Sequence, residues 1–204
     1  MLRTRVKICG ITSADDALAV AAAGADAIGL VFYDKSPRVV SIEQARQITK
    51  ALPPFVTVVA LFVDAASDYI EQVLAQVNID LIQFHGQESA VQCDAFNKPY
   101  VKAVSMRDDV DLHQFCDQYK GAAAILVDSY RPGTPGGTGE VFNWDLIPSN
   151  LSRPLILAGG LDAGNVAQAI ESVRPYAVDV SSGVERSKGV KDKDRVADFI
   201  LGVK

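Results

Sequence analysis

The sequence contains few of the residues that build disulfide frameworks and metal sites. Its 204 residues include three cysteines and two histidines. Cys9, Cys93 and Cys116 are odd in number and widely spaced, so they predict neither a disulfide framework nor a zinc site. His85 and His113 lie far apart without clustered carboxylates, which argues against a catalytic metal. We therefore expect reduced thiols and no bound metal.

Long apolar runs and an excess of positive charge are also absent. The apolar stretches are strand-sized, well short of the ~20 residues that span a bilayer, and none marks a secretory signal at the N-terminus. The net charge is −5, and no basic run is interleaved with aromatic residues. We therefore expect a cytoplasmic protein that binds a small molecule and neither nucleic acid nor a membrane. The sequence does not distinguish a monomer from a homodimer.

The chain alternates β-branched runs with amphipathic segments rich in Ala and Leu. The runs that predict strands are Arg5–Cys9, Ala27–Phe32, Val56–Val63, Asp80–His85, Tyr100–Val104, Ala123–Asp128, Leu155–Ala158 and Ala177–Val180. The segments that predict helices are Ala14–Ala23, Ile42–Ala51, Asp68–Gln76, Glu88–Phe96, Asp109–Tyr119, Asn143–Ile147, Ala163–Ser172 and Lys193–Leu201. Ser13, Ser41 and Asp162 are the expected N-caps of three of these helices.

Such an alternation leaves two architectures, a closed (β/α)8 barrel and a doubly wound open sheet. A dinucleotide-binding sheet would carry Gly-x-Gly-x-x-Gly after its first strand, where this chain has Cys9-Gly10-Ile11-Thr12. Polar residues instead follow the C-terminal ends of many strands, which is typical of the active-site face of a barrel. We predict an α/β fold with a single (β/α)8 TIM-barrel domain over residues 1–204.

Strand periodicity directs several polar side chains into one barrel mouth. The inward-facing residues are Lys7 and Cys9 in the first strand, His85 in the fourth, Asp128 in the sixth and Asp179 in the eighth. Gathering polar groups there is unfavourable unless the mouth binds something polar. Alternation therefore predicts a binding site at this end of the barrel.

Cys9 and Asp128 are the expected acid–base pair in this mouth. Cys9 alone is compatible with a buried apolar residue, but the neighbouring Lys7 favours a thiolate that can remove a proton. Asp128 is either the cap of a turn or a general acid. In a barrel roughly 15 Å across, the two strands place their Cα atoms about 13–14 Å apart. Two short side chains then leave roughly 7 Å, which is room for a pentose.

Two loops indicate a phosphate site. Gly159-Gly160 follow the seventh predicted strand, and Ser181-Ser182-Gly183 follow the eighth. Glycine lets backbone N–H groups approach an anion, and this pair of loops is the recurring phosphate site of barrels. Tight turns between strand and helix are the alternative interpretation.

Three further features border the same mouth. Arg38 follows the second strand and is placed to pair with a carboxylate. His85 is open to three interpretations: a turn residue, a substrate contact or an acid–base group. The Gly- and Pro-rich segment Ser129–Glu140 is either a plain connection or a lid.

Seven segments together resemble the phosphoribosylanthranilate isomerase family. They are Lys7-Ile8-Cys9-Gly10-Ile11-Thr12, Ser36-Pro37-Arg38, Gln83-Phe84-His85-Gly86, Val127-Asp128-Ser129, Gly136-Gly137-Thr138-Gly139, Ala158-Gly159-Gly160-Leu161 and Asp179-Val180-Ser181-Ser182-Gly183-Val184-Glu185. The resemblance covers essentially the whole chain, in order. It implies an isomerase of tryptophan biosynthesis that needs no cofactor or metal. The implied reaction is an Amadori rearrangement of N-(5-phosphoribosyl)anthranilate to 1-(2-carboxyphenylamino)-1-deoxyribulose 5-phosphate.

The resemblance also implies roles by position. Cys9 would remove the C2′ proton, and Asp128 would protonate the ribose ring oxygen. Arg38 would bind the anthranilate carboxylate and Asp179 the ribose hydroxyls, while the loops after strands seven and eight would hold the phosphate. Lys7 and His85 complete the predicted substrate-binding set.

Two other functions are compatible with a phosphosugar barrel. The first is another isomerase or epimerase, but an epimerase would carry metal-binding His and Asp residues on several strands. The histidine-pathway isomerase would use aspartates on strands one and five, where this chain has Cys9 and an acid-free Tyr100–Val104. The second is a non-catalytic phosphosugar-binding barrel, which would keep the two loops without an acid facing a thiol.

Overall fold

The computed structural model describes residues 3–129 and 142–204. Its main strands form one closed parallel barrel, in which neighbours follow chain order. The strands are β1 Arg5–Cys9, β2 Ala27–Val31, β3 Thr57–Phe62, β4 Leu81–Phe84, β5 Tyr100–Met106, β6 Ala124–Ser129, β7 Leu155–Leu157 and β8 Ala177–Val180. β1 pairs with both β2 and β8, which closes the ring. The predicted (β/α)8 barrel is confirmed.

Helices cover the outside of the barrel. They are α1 Ala14–Ala23, α2 Ile42–Ala51, α3 Ser67–Gln76, α4 Ala90–Cys93, α5 Leu112–Gln118, α6 Val166–Val173 and α7 Lys193–Val203. Short 3-10 helices span Trp144–Leu146 and Ser182–Val184. Among the described residues, no helix has the length and apolar character needed to cross a membrane.

Local hydrogen bonds explain where the structure departs from the predicted helix boundaries. The predicted helix Glu88–Phe96 begins later, as α4, because the Ser89 side chain accepts from the Gln92 backbone N–H and caps the helix there, and it ends at Cys93. The predicted cap Asp162 is wrong, since the N-cap position of α6 is Asn165, whose side chain makes no capping hydrogen bond. Asp162 instead accepts from two backbone N–H groups in the turn that precedes the helix.

One element after β8 was not predicted. Glu185–Ser187 (β9) and Val190–Lys191 (β10) pair as a short antiparallel hairpin between β8 and α7. Its strands are too short to show an alternating pattern. The segment Ser129–Glu140, interpreted above as a plain connection or a lid, lies outside the described residues apart from Ser129.

Strand alternation divides the core into two regions. Outward side chains such as Ile8 and Ile125 are fully buried between strands and helices. Inward side chains such as Ala103 and Leu126 fill the lower part of the barrel, and Cys9 packs with other apolar groups above them. The predicted inward and outward directions of the strand side chains are therefore confirmed. The polar inward residues lie at the C-terminal ends of the strands.

Candidate active site

A cavity of about 400 Å³ opens at the C-terminal ends of the strands. Its volume lies within the usual range of small-molecule sites. The predicted site residues among its described lining are Cys9, Arg38, His85, Asp128, Gly159, Gly160, Asp179, Ser181 and Ser182. The two remaining predicted residues lie beside the cavity, where Lys7 is buried in the barrel and Gly183 packs against Leu161.

A buried ion pair lies at the base of the cavity. Lys7 on β1 and Asp179 on β8 are register partners in adjacent strands. Lys7 Nζ lies 2.8 Å from Asp179 Oδ1, and the two side chains are 7% and 8% exposed. Burial disfavours the charged form of Lys7, but Asp179 and Cys9 outweigh it and raise the pKa of the lysine. Lys7 is therefore a cation next to the thiol.

Gly29 makes room for the thiol and the ammonium group. It is the register partner of Cys9 in β2. A Cβ at Gly29 would lie 2.7 Å from Cys9 Sγ and 3.1 Å from Lys7 Nζ, so any larger residue would displace them. Sequence reasoning missed this residue. A glycine in the middle of a strand, which often marks a close approach, was the available signal.

Cys9 is under opposing electrostatic influences. Burial raises the pKa of its thiol, while the charges of Lys7 and Lys191 lower it. The net direction of the pKa shift is upward, because burial is the largest influence. Lys7 therefore acts in the expected direction, but burial outweighs it.

We expect Lys7→Met to raise the pKa of the Cys9 thiol further, because the substitution removes a cation that stabilises the thiolate. The measurement is the pH dependence of Cys9 alkylation, followed by mass spectrometry of its peptide. Lys35→Met is the matched control, since Lys35 is a second lysine on the cavity lining but lies at its exposed rim. An unchanged Cys9 titration in Lys7→Met would exclude Lys7 as a thiolate-stabilising group.

Asp128 is held by a chain of polar groups from β4. His85 Nε2 lies 3.4 Å from Asp128 Oδ2. The amide nitrogen of Gln83 lies 2.9 Å from His85 Nδ1, and in the tautomer that accepts from this amide the ring N–H is on Nε2, toward Asp128. The other carboxylate oxygen accepts from the backbone N–H of Ser129 at 2.7 Å. His85 therefore contacts the predicted acid directly.

Arg38 has a partner that sequence reasoning missed. Its Nε and Nη2 donate to the two carboxylate oxygens of Glu185 at 2.7 and 2.8 Å. Lys191 also contacts this carboxylate. Glu185 belongs to one of the resembling segments, but nothing local in the sequence pairs it with a residue 147 positions away.

The loops after β7 and β8 lie close together. Gly159 and Gly160 have positive φ angles of 84° and 67°. A Cβ at Gly183 would lie 2.0 Å from the carbonyl oxygen of Leu161, so only glycine permits this approach of the two loops. Ser181 Oγ donates to the carbonyl oxygen of Cys9 at 3.0 Å, which ties the second loop to β1.

The described residues offer no metal-binding cluster. No group of three or more His, Cys, Asp or Glu among them is arranged to hold an ion. Cys9, Cys93 and Cys116 are all free thiols. The chemistry available to the cavity from these residues is therefore that of a thiol, carboxylates, an imidazole and fixed cations.

Together, the barrel and a cavity lined at its upper face by acidic, basic and thiol groups define a (β/α)8-barrel enzyme. The sequence model of the family N-(5'phosphoribosyl)anthranilate (PRA) isomerase matches residues 6–201. The chain belongs to this family.

Individual relatives agree with this assignment. A curated N-(5'-phosphoribosyl)anthranilate isomerase of Alcanivorax borkumensis is 58% identical over 207 residues, covering 98% of this chain and 95% of the relative. The solved phosphoribosyl anthranilate isomerase of Thermotoga maritima is 42% identical, with 98% of each chain covered and a TM-score of 0.90. A solved complex of the same enzyme type with reduced 1-(o-carboxyphenylamino)-1-deoxyribulose 5-phosphate is 40% identical, with 98% of each chain covered and a TM-score of 0.84. The predicted isomerase is thus confirmed over the alternatives.

Proposed function

We propose that this cavity converts N-(5-phosphoribosyl)anthranilate to 1-(2-carboxyphenylamino)-1-deoxyribulose 5-phosphate, with Asp128 as general acid and Cys9 as general base. The observation that carries the proposal is that the two residues line one cavity from β1 and β6. An aminoaldose-to-aminoketose rearrangement needs an acid at the ring oxygen and a base at C2′, and both must reach one pentose.

In the first step, the Asp128 carboxyl donates its proton to the ribose ring oxygen. The bond between C1′ and this oxygen breaks, and the nitrogen lone pair of the anthranilate forms a Schiff base with C1′. Asp128 becomes a carboxylate as its proton leaves. The ring N–H of His85 and the backbone N–H of Ser129, both placed at this carboxylate, stabilise the charge that develops.

In the second step, Cys9 acts as a thiolate, whose proton has passed to solvent and whose charge Lys7 and Lys191 stabilise, and removes the C2′ proton. The cationic Schiff base withdraws electrons and makes this proton acidic, so the C2′–H electron pair becomes the double bond of an enolamine. Uptake of a proton at C1′ and loss of the proton on the C2′ oxygen give the ketone. Proton exchange with solvent then returns Cys9 and Asp128 to their starting forms.

The two anionic ends of the substrate are anchored at separate parts of the cavity. The loops after β7 and β8 hold the phosphate, and Arg38 holds the anthranilate carboxylate. Asp179, oriented by Lys7, accepts hydrogen bonds from the ribose hydroxyls. Binding energy at these remote groups aligns C1′ and C2′ between acid and base.

Gly183→Ala tests the phosphate site. The new Cβ would collide with the Leu161 carbonyl and push the two loops apart. Because charged hydrogen bonds to phosphate are lost, we expect KM to rise about tenfold while kcat changes less. Steady-state kinetics give both constants.

The matched control for this substitution is Gly121→Ala. Its Cβ would also approach another atom to 2.0 Å, in this case Asp94 Oδ1, but at the opposite end of the barrel. We expect it to affect stability alone. An unchanged KM in a folded Gly183→Ala protein would argue against a phosphate site at this loop.

Growth rescue tests the proposed reaction as a whole. We expect the wild-type chain to restore growth without tryptophan to a strain that lacks phosphoribosylanthranilate isomerase, and Cys9→Ala to fail at equal soluble expression. Lack of rescue by the soluble wild-type protein would contradict the proposed reaction.

We also propose that residues 1–204 act as a single catalytic domain in the cytoplasm. The barrel closes within the chain and contains every residue given a role above. The three free thiols support a reducing compartment.

A further inference from the structure

Glu185 holds the guanidinium of Arg38 in a fixed plane. Both carboxylate oxygens of Glu185 accept from it, and the two side chains are 14% (Arg38) and 5% (Glu185) exposed. A two-point bond fixes orientation as well as position. It uses Nε and one hydrogen of Nη2. Glu185 does not use the edge formed by Nη1 and the second Nη2 hydrogen, and Arg38 lines the cavity, so this edge is the one that a ligand there would meet.

Lys191 changes the net charge of this pair. Its Nζ lies 3.0 Å from Glu185 Oε1, and its side chain is 2% exposed. Burial opposes ionisation of Glu185, but Arg38 and Lys191 outweigh it and hold its pKa below the ordinary value. Burial lowers the pKa of Lys191 and Glu185 opposes this shift, while Arg38 and Lys191 both lie within hydrogen-bond distance of the one carboxylate. Without Lys191, Glu185 would neutralise Arg38, whereas with it the group keeps one positive charge.

The hairpin that carries Glu185 and Lys191 is anchored on several sides. The Arg195 side chain donates to the carbonyl oxygen of Glu185 at 2.7 Å, and the Lys191 backbone N–H donates to Asp16 at 3.2 Å. Lys191 Nζ also donates to the carbonyl oxygen of Ser181, at 3.1 Å, in the loop after β8. These contacts with α7, α1 and the cavity loop hold the carboxylate of Glu185 in place behind Arg38.

We propose that Glu185 and Lys191 are positioning residues that set selectivity for a substrate carrying a carboxylate. Glu185 orients the Nη1 and Nη2 edge of Arg38 that it does not itself contact, and Lys191 keeps the group cationic. The inference rests on the proposed function, because it takes Arg38 as the contact of the anthranilate carboxylate. It assigns to the hairpin a role in substrate recognition.

A comparison of two ligands separates the contribution of the carboxylate to binding affinity. The first is reduced 1-(o-carboxyphenylamino)-1-deoxyribulose 5-phosphate, and the second is the same compound without the carboxyl group. The ratio of their Kd values, measured by calorimetry on the full chain, is the carboxylate selectivity. It is insensitive to changes at the phosphate and ribose contacts, because both ligands share them.

We expect Glu185→Gln and Lys191→Met each to lower this selectivity about tenfold, with little change in affinity for the carboxyl-free ligand. In turnover, KM should rise and kcat should change less. Glu43→Gln is the matched control, because it removes the carboxylate of an exposed pair with Arg46. It should keep the wild-type ratio.

Equal losses of affinity for both ligands in folded Glu185→Gln would overturn the proposal, since they would indicate that Glu185 has a structural role alone. A rise in selectivity would also overturn it, because Glu185 would then only screen Arg38. If Glu185→Gln does not fold, Glu185→Asp and Lys191→Met decide the question, and unchanged selectivity in both overturns the proposal. A wild-type chain that binds neither ligand contradicts the proposed function instead.

Discussion

Cys9→Ala is expected to yield a folded protein that still binds substrate but turns it over about a thousandfold more slowly, the size of effect typical for loss of a general base. The reason is that Cys9 is the group proposed to accept the C2′ proton. Cys9 reaches the cavity from the end of β1. Binding of the reduced product analogue should change little, because the thiol makes no contact with the phosphate or the carboxylate in the proposed mode. The measurement is kcat together with the Kd of this analogue.

Cys93→Ala and Cys116→Ala are the matched controls. Both cysteines are buried in helices outside the cavity, at α4 and α5. Removal of either thiol should lower stability and leave kcat near the wild-type value. Near-wild-type turnover by folded Cys9→Ala would rule out the thiol as the base.

Asp128→Asn is expected to have an effect of similar size, a loss of about a thousandfold in kcat. The amide keeps the shape of the carboxyl and can still accept from the backbone N–H of Ser129, so the fold should persist. It cannot supply the proton that opens the ribose ring. Steady-state and single-turnover rates measure the loss.

Asp80→Asn is the matched control for this substitution. Asp80 also accepts from a backbone N–H, that of Val58 at 2.8 Å, but it lies at the start of β4, away from the cavity. Its replacement should change stability and not turnover. If kcat fell by the same small factor in Asp128→Asn and Asp80→Asn, Asp128 would have no role as an acid.

Helices and strands that depend on interactions within a few residues were predictable from the sequence. β1, β8, α1 and α2 have the bounds that periodicity and capping predict, because apolar spacing and the Ser13 and Ser41 side chains act within a few residues. The same alternation placed Cys9 and Asp128 in one cavity. Their roles stay predictions.

Interactions across the barrel were not predictable in this way. The Lys7–Asp179 pair joins residues 172 positions apart. The sequence predicts that Lys7 stabilises the Cys9 thiolate and binds substrate, and it does not predict this ion pair. The Arg38–Glu185 bond likewise depends on a hairpin whose strands contain too few residues for a pattern. Such contacts follow from barrel closure, which brings the two ends of the chain together.

The assignment of Cys9 as general base and Asp128 as general acid is tested most directly with a substrate that carries deuterium at C2′. Single-turnover rates of the labelled and unlabelled substrates are compared in Cys9→Ala and in Asp128→Asn. In Cys9→Ala, loss of the C2′ proton limits the rate, so we predict slower turnover of the labelled substrate. In Asp128→Asn, ring opening limits the rate, so we predict equal rates. Slowing by deuterium in Asp128→Asn, with no effect in Cys9→Ala, would contradict the assignment of acid and base.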